Sequence, residues 1–215
     1  MQADFWLQRW REGRIGFHKT AVNPLLIRHF PQLRLARGQR VFVPLCGKTL
    51  DIGWLLQQGF RVAGVELSET AVEALFARLG VTPEVAQTGR LQRYHSRDLD
   101  VFVGDVFDLD AAALGTVDGV YDRAALIALP AAMRRRYVGH MLQLTACAPQ
   151  LLIFVQYDEA LMDGPPFSVP PAEVEQHYGG AYTLTKLAAA AVPDGLKEQV
   201  AATQHVWLLS DGALA

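Results

Sequence analysis

Apolar and polar positions along this chain fall into blocks whose period changes. Arg40-Val41-Phe42-Val43-Pro44 is a short apolar run, the mark of a strand buried on both faces. Thr49 to Gln58 reads as a helix closed by Gly59, and Arg61-Val62-Ala63-Gly64-Val65-Glu66 as a second strand. Ser68 then stands as an N-cap. The helix after it sets Val72, Leu75, Phe76 and Leu79 on one apolar face and stops at Gly80. Further strands are expected over 99–103, 119–121 and 151–156, with a helix over about 131–145 before the last. Strands alternating with helices predict a mostly parallel sheet covered on both faces.

The two ends depart from this rhythm. Asp4 can cap a short aromatic helix through about Glu12, with Phe5, Trp6 and Trp10 on it and Gly13 at its end. Asn23-Pro24 reads as a cap with proline at the first helical position, and Pro31 disfavours continuation past Phe30. Residues 158–171, with Gly164-Pro165-Pro166, read as a loop. Residues 182–190 and 204–209 look like two strands joined through Pro193-Asp194-Gly195, an antiparallel edge on the sheet.

Composition narrows the function classes. The 215 residues suit one large domain, and 51% hydrophobic content is enough for a sizeable core. A formal net charge of -2 gives no electrostatic footprint for nucleic acid. Arg134-Arg135-Arg136, the densest basic cluster, reads as the solvated face of a helix. Cys46 and Cys147 lie far apart without a CxxC, so neither a metal site nor a disulfide framework is expected. No apolar stretch approaches the roughly 20 residues that span a bilayer, and the N-terminus lacks a signal-peptide pattern. A cytoplasmic protein acting on a small molecule is the expectation.

Open α/β sheets bind ligands at the carboxyl ends of their strands. After the first strand comes Pro44-Leu45-Cys46-Gly47-Lys48-Thr49, and Glu66 ends the second, 19 residues after Gly47. A carboxylate there can accept both hydroxyls of a ribose. A dinucleotide site wants GxGxxG, whereas this turn holds one glycine, Gly47. S-adenosylmethionine has ribose and adenine but no phosphate, so the missing glycines count more heavily against a nicotinamide cofactor. A P-loop would need glycine where Phe42 stands. Cys46, between strand and helix, sits where helix-end polarity can lower a thiol pKa. Arg123 follows a strand at the ligand edge, where it can handle an anion or pair with Asp122. Trp6 and Trp10, four apart, share a helix face that can shield a sulfonium cation or simply pack. Phe167 can stack on an aromatic acceptor, and His18 is a further loop candidate.

Taken together, Val41 to Lys48, Gly64-Val65-Glu66, Phe17-His18, Val106-Phe107-Asp108-Leu109, Tyr121-Asp122-Arg123-Ala124-Ala125-Leu126 and Gly164-Pro165-Pro166-Phe167 resemble the thiopurine S-methyltransferase family, its bacterial branch above all. The resemblance implies a Rossmann-like class I methyltransferase: a mostly parallel sheet with helices on both faces, an antiparallel C-terminal edge and an N-terminal helical cover. Residues 1–215 would form one domain, with 1–35 as cover and 36–215 as core. The implied cofactor is S-adenosylmethionine, leaving S-adenosylhomocysteine, with contacts at Trp10, Leu45, Glu66 and Arg123 and adenine near Asp105 and Val106. Trp6 and the loop to Phe17 would close over the site, with Phe17 near the acceptor. The implied reaction is in-line methyl transfer to the sulfur of a small aromatic thiol or thiopurine, by a monomer. Selenium or tellurium compounds as acceptors, or a non-catalytic binder of the cofactor, are the alternatives. The likeness weakens after Val169, and Gly195-Leu196-Lys197-Glu198 offers no clear equivalent of the basic residues some relatives place beside the acceptor.

Overall fold

The computed structural model describes residues 3–15, 19–197 and 200–211. They fall into two compact units, Met1–Gly119 and Val120–Ala215. The first contains α1 (Ala3–Arg11), α2 (Pro24–His29), β1 (Arg40–Pro44), α3 (Leu50–Gln57), β2 (Arg61–Glu66), α4 (Glu69–Leu79), β3 (Glu84–Thr88), β4 (Leu91–Ser96), β5 (Leu99–Val103) and α5 (Ala111–Leu114). Its strands lie in the order β3-β4-β5-β2-β1. β1, β2 and β5 are parallel, whereas β4 and β3 are antiparallel additions. All five positions of β1 are buried, as a continuous apolar run requires.

Local signals placed these elements well. Asn23 caps α2 by accepting from the Leu25 N–H, and Pro24 opens that helix. Ser68 accepts from the Ala71 N–H at the start of α4, and Gly80 closes it in the left-handed conformation. Three details differ from expectation. Asp4 lies inside the first turn of α1. The chain passes Pro31 by tightening into a 3-10 turn, Phe30–Leu33. The β3–β4 hairpin has no counterpart in the apolar pattern, because β3 exposes four of its five residues.

A charged cluster ties the strand starts of this unit together. Arg40 Nη2 meets Asp100 Oδ2 at 2.7 Å, and Arg93 and His95 share Asp100 Oδ1. Burial alone would raise the Asp100 carboxyl. Hydrogen bonds from His95 and Arg93, with the charges of Arg93 and Arg40, outweigh that and hold it below its ordinary value.

The second unit holds β6 (Gly119–Arg123), α6 (Ala131–Leu144), β7 (Gln150–Tyr157), α7 (Pro171–Tyr178), β8 (Thr183–Ala191) and β9 (Ala202–Ser210). β6 and β7 are parallel, and β9 and β8 continue antiparallel from β7, so the expected C-terminal edge is present. Two expectations are corrected here. Pro171, read as the end of a loop, is the first residue of α7. Arg134, read as solvated, is only 2% exposed. It makes two parallel bonds to Glu173, at 2.6 and 2.7 Å, and a third to the Leu129 carbonyl. A guanidinium paired in this way can be buried where an unpaired charge cannot. Arg135 and Arg136 keep the exposed side of α6.

Candidate functional site

In the first unit the predicted residues converge at the carboxyl ends of β1 and β2. Leu45 leaves β1 with φ of 46°, and the Cys46 N–H still reaches the Val65 carbonyl at 3.0 Å. Gly47 follows with φ of 51°. A Cβ there would come 3.1 Å from Trp10 Cζ2, so the glycine lets the half-buried indole lie on the turn. Lys48 Nζ stands 5.8 Å from the Trp10 ring centroid. Arg78 at the end of α4 donates to the Lys48 and Thr49 carbonyls. Asp51, in the first turn of α3, accepts from the Asn23 N–H at 2.8 Å.

Glu66 is the centre of this arrangement. It is 6% exposed and accepts from the Gly47 N–H at 2.8 Å with one oxygen and the Ser68 N–H at 2.9 Å with the other. Burial raises its pKa above the ordinary carboxyl value, against the pull of the N–H groups of Ser68, Gly47 and Leu67. A carboxylate has about four lone-pair directions, so two backbone donors leave capacity for ligand hydroxyls. Beside it the Gly104 N–H donates to the Glu66 carbonyl at 2.9 Å. That brings Asp105 and Val106 next along the chain. Asp105 Oδ1 accepts from the Phe107 N–H at 3.0 Å, and Val106 is buried. Trp6 is half-buried and meets Phe5 edge-on at 5.3 Å. Phe17 and His18 lie outside the described residues.

The place of Cys46 between strand and helix does not lower its thiol pKa. Its thiol is buried, and burial first, then the Glu66 charge, pushes its pKa well above the ordinary value. Burial outweighs any helix-end effect and disfavours the thiolate. Phe42 lies in β1 with no exposure, which disposes of a phosphate-binding loop. Among the described residues no cluster of His, Cys, Asp or Glu could hold a metal ion.

In the second unit Arg123 ends β6 and Ala124 turns the chain with φ of 65°. Asp122, before them, has no exposure. It accepts from Tyr137 Oη at 2.7 Å and from the Leu126 N–H at 3.3 Å. Burial pushes its pKa up to about 6 even with these donors and the Ala125 N–H pulling it down. Phe167 is half-buried and joins the same loop cluster, since its N–H donates to the Ile127 carbonyl at 2.7 Å. Its ring lies against Gly164, where a Cβ would approach Cδ1 to 2.7 Å. Lys197, which the sequence reading left without a role, reaches the Pro165 carbonyl. Sequence reasoning also missed Tyr137 and Tyr157. Both act through hydroxyls on distant partners, and only their presence among apolar residues could have flagged them.

Comparison with known proteins agrees with this geometry. The description of thiopurine S-methyltransferases as a family matches residues 1–210. A thiopurine S-methyltransferase of Xanthobacter autotrophicus is 55% identical over 210 residues, spanning 97% of this chain and 99% of the relative. One of Acinetobacter baylyi is 44% identical over 214 residues, spanning 98% and 99%. Among solved structures, a 1,6-didemethyltoxoflavin-N1-methyltransferase of Burkholderia thailandensis superposes with a TM-score of 0.66 at 18% identity, over 97% of this chain and 87% of that one. A magnesium protoporphyrin IX methyltransferase of Synechocystis gives 0.60 at 15%, over 97% and 98%. These structural likenesses establish the fold as that of class I methyltransferases, a mixed α/β sheet with a mostly parallel centre and antiparallel edges.

Proposed function

The chain belongs to the thiopurine S-methyltransferase family, and from that premise we propose that it transfers the methyl group of S-adenosylmethionine to the sulfur of a small aromatic thiol. The observation that carries the reading is the Glu66 carboxylate, buried at the end of β2 and fastened to the Gly47 turn. It suits a nucleoside whose ribose offers a pair of hydroxyls and which brings no phosphate. The residues fit that cofactor. Gly47 has no side chain to fill the turn, Trp10 offers an aromatic face, and Asp105 and Val106 follow the neighbouring strand. We assign Trp10, Leu45, Glu66, Asp105 and Val106 to cofactor binding, and Arg123 to cofactor contact and anion handling.

Bound S-adenosylmethionine supplies an electrophilic methyl group on a sulfonium centre. The rest falls to the protein. Glu66 fixes the ribose, and with it the direction of attack. Trp10 lowers the exposure of a cation to water. Arg123 can donate to an anionic sulfur. Trp6, Phe17 and Phe167 are assigned to the acceptor, Phe167 as a stacking surface. Alignment of two reactants alone can contribute about 7–11 kcal/mol to the barrier. An aromatic thiol ionises near neutral pH, so its proton leaves to solvent and no covalent protein intermediate is needed. The family match across residues 1–210 supports reading the chain as one methyltransferase domain. A monomer is part of the same reading, and two free cysteines suit the reducing cytoplasm. Among the described residues no helix is long and apolar enough to cross a membrane.

The test is transfer of labelled methyl to thiopurines, simple aromatic thiols and selenite-derived species. Methylated thiopurine or thiophenol is the expected product. Glu66→Gln should bind S-adenosylhomocysteine at least tenfold more weakly. Saturable S-adenosylhomocysteine binding with no product from any acceptor would overturn the catalytic reading, and unchanged affinity in Glu66→Gln would remove Glu66 from the site.

A further inference from the structure

The segment from Gly164 to Val169 is held at every turn. Lys197 Nζ donates to the Pro165 carbonyl. Tyr157 Oη donates to the Pro166 carbonyl at 2.7 Å. The Phe167 N–H reaches Ile127, and the Val169 N–H reaches the Val155 carbonyl at 2.9 Å. Ser168 Oγ, buried, accepts from the Tyr157 N–H at 2.9 Å and donates to the Tyr157 carbonyl at 2.8 Å. Tyr157 therefore grips this segment by its N–H, its carbonyl and its hydroxyl. It is itself fixed, because its ring packs in a satellite cluster with Val200 and Ala202, lined by Met162, Val192 and Leu196.

This lattice has a direction. Tyr157 ends β7 and Arg123 ends β6, and these are adjacent parallel strands whose carboxyl ends form the ligand-binding edge of such sheets. The 164–169 segment is anchored to both, to Tyr157 on one side and to Ile127, four residues past Arg123, on the other. Of the side chains in this segment, those of Pro166 and Phe167 stay half-exposed, and the Phe167 ring is the aromatic one. A loop whose polar groups are satisfied internally is a fixed surface rather than a moving lid. A ring fixed before binding loses little freedom when a ligand stacks on it.

We propose that Tyr157 is a positioning residue for acceptor specificity: its hydroxyl on the Pro166 carbonyl fixes Phe167 as a preformed stacking wall that selects flat aromatic thiols over aliphatic ones. The proposal rests on the methyl-transfer reading and adds to it the residue that sets the acceptor class. Arg134 supports the same frame from behind. It joins Leu129, just past the Ile127 anchor, to Glu173 of α7, just past the loop.

Tyr157→Phe is the decisive variant, since it deletes the hydroxyl and leaves the ring in its cluster. KM and kcat are measured for a thiopurine and for an aliphatic thiol, with S-adenosylhomocysteine affinity and Tm alongside. The expected result is a three- to tenfold higher KM for the thiopurine, with kcat within twofold and cofactor affinity unchanged. KM for the aliphatic thiol stays constant. In a Phe167→Ala background the same change has no further effect on KM, because Tyr157 acts through that ring. A lower Tm with thiopurine KM unmoved, or additive effects of the two substitutions, overturns the proposal. Hydrogen exchange separates this from failure of the methyl-transfer reading. If the wild type methylates no thiol, at least tenfold faster exchange of the Phe167 amide in Tyr157→Phe, with β6 amides unchanged, still upholds the fixed wall. Equal exchange in both proteins refutes it.

Discussion

Asp122 allows one electrostatic effect to be measured in isolation. Its carboxyl has no exposure and titrates at about 6, against an ordinary 3.8. Each pKa unit is worth about 1.4 kcal/mol, so the difference corresponds to about 3 kcal/mol. Because the folded value lies above the ordinary one, between pH 3.8 and about 6 the folded protein keeps a proton that the unfolded chain has released. The stability this supplies is complete below pH 3.8, falls as pH rises through that window, and is gone above it. Asn at 122 keeps the shape, and its amide can still accept from Leu126 while Tyr137 turns to accept. The assay is urea unfolding of wild type and Asp122→Asn from pH 4 to 7.5. Other titrating groups are common to both proteins and cancel in the difference. Relative to the variant, the wild type should lose about 2 kcal/mol between pH 4 and 6.5 and little more above that. Parallel stability curves through the window would refute the claim that burial, rather than its hydrogen bonds, dominates this carboxyl.

Three further outcomes follow from contacts already described. Gly47→Ala, which sets a Cβ 3.1 Å from Trp10 at φ of 51°, should weaken S-adenosylhomocysteine binding at least tenfold by calorimetry. Undiminished affinity would mean that the indole has no part in holding the cofactor. Glu173→Gln leaves the buried Arg134 without its counter-charge and should cost about 3–5 kcal/mol in urea unfolding; a loss below about 1 kcal/mol would mean that water reaches the guanidinium. Asp100 titrates below its ordinary value, so its stabilisation is present at neutral pH and is lost as pH falls through the folded value. Asp100→Asn should therefore be less stable at pH 7 and show a flatter acid limb, and an unchanged limb would assign acid unfolding to other carboxyls.

The sequence was legible where one signal decides the outcome. β1 and β2 read correctly because strands buried on both faces are apolar at nearly every position. Ser68 and Gly80 bounded α4 because capping is local chemistry. The pairing of Glu66 with the Gly47 turn could be read because both belong to one strand–helix–strand unit. What stayed hidden is non-local. Arg134 looked solvated because its partner, Glu173, is 39 residues away. α7 was lost because Pro170-Pro171 serves equally as a loop mark and a helix start. β3 carries no apolar face to read, being held by its backbone bonds to β4. The site was legible in the same uneven way. The residues proposed for the cofactor follow single strands, whereas the Tyr157–Ser168 and Asp122–Tyr137 pairs appear only when the chain is folded.

Asp122 and Glu66 are both buried carboxyls near the carboxyl end of a strand, and comparing them tests Asp122 as a general base. A carboxyl that titrates near 6 beside a candidate binding arginine has the acidity expected of a base. Geometry argues otherwise. A base must reach the proton it removes, and Asp122 has no exposure, with one oxygen given to Tyr137 and the other to the turn at Leu126. Glu66 spends its oxygens on backbone donors and keeps some exposure, as a ligand contact needs. Asp122 is thus a brace for the Arg123 turn. Its raised pKa is a consequence of being buried for that purpose. With Asp122 out of reach, the proposed reaction leaves the acceptor's own acidity to set the ionised fraction. Two aromatic thiols whose solution pKa values differ by about one unit should then give kcat/KM profiles displaced by about one pH unit. Each should rise with ionisation of its own thiol, and both thiols should share one limiting slope. An inflection near pH 6 common to both thiols, abolished in Asp122→Asn, would make the buried carboxyl the base after all and would require the β6 turn to open during turnover.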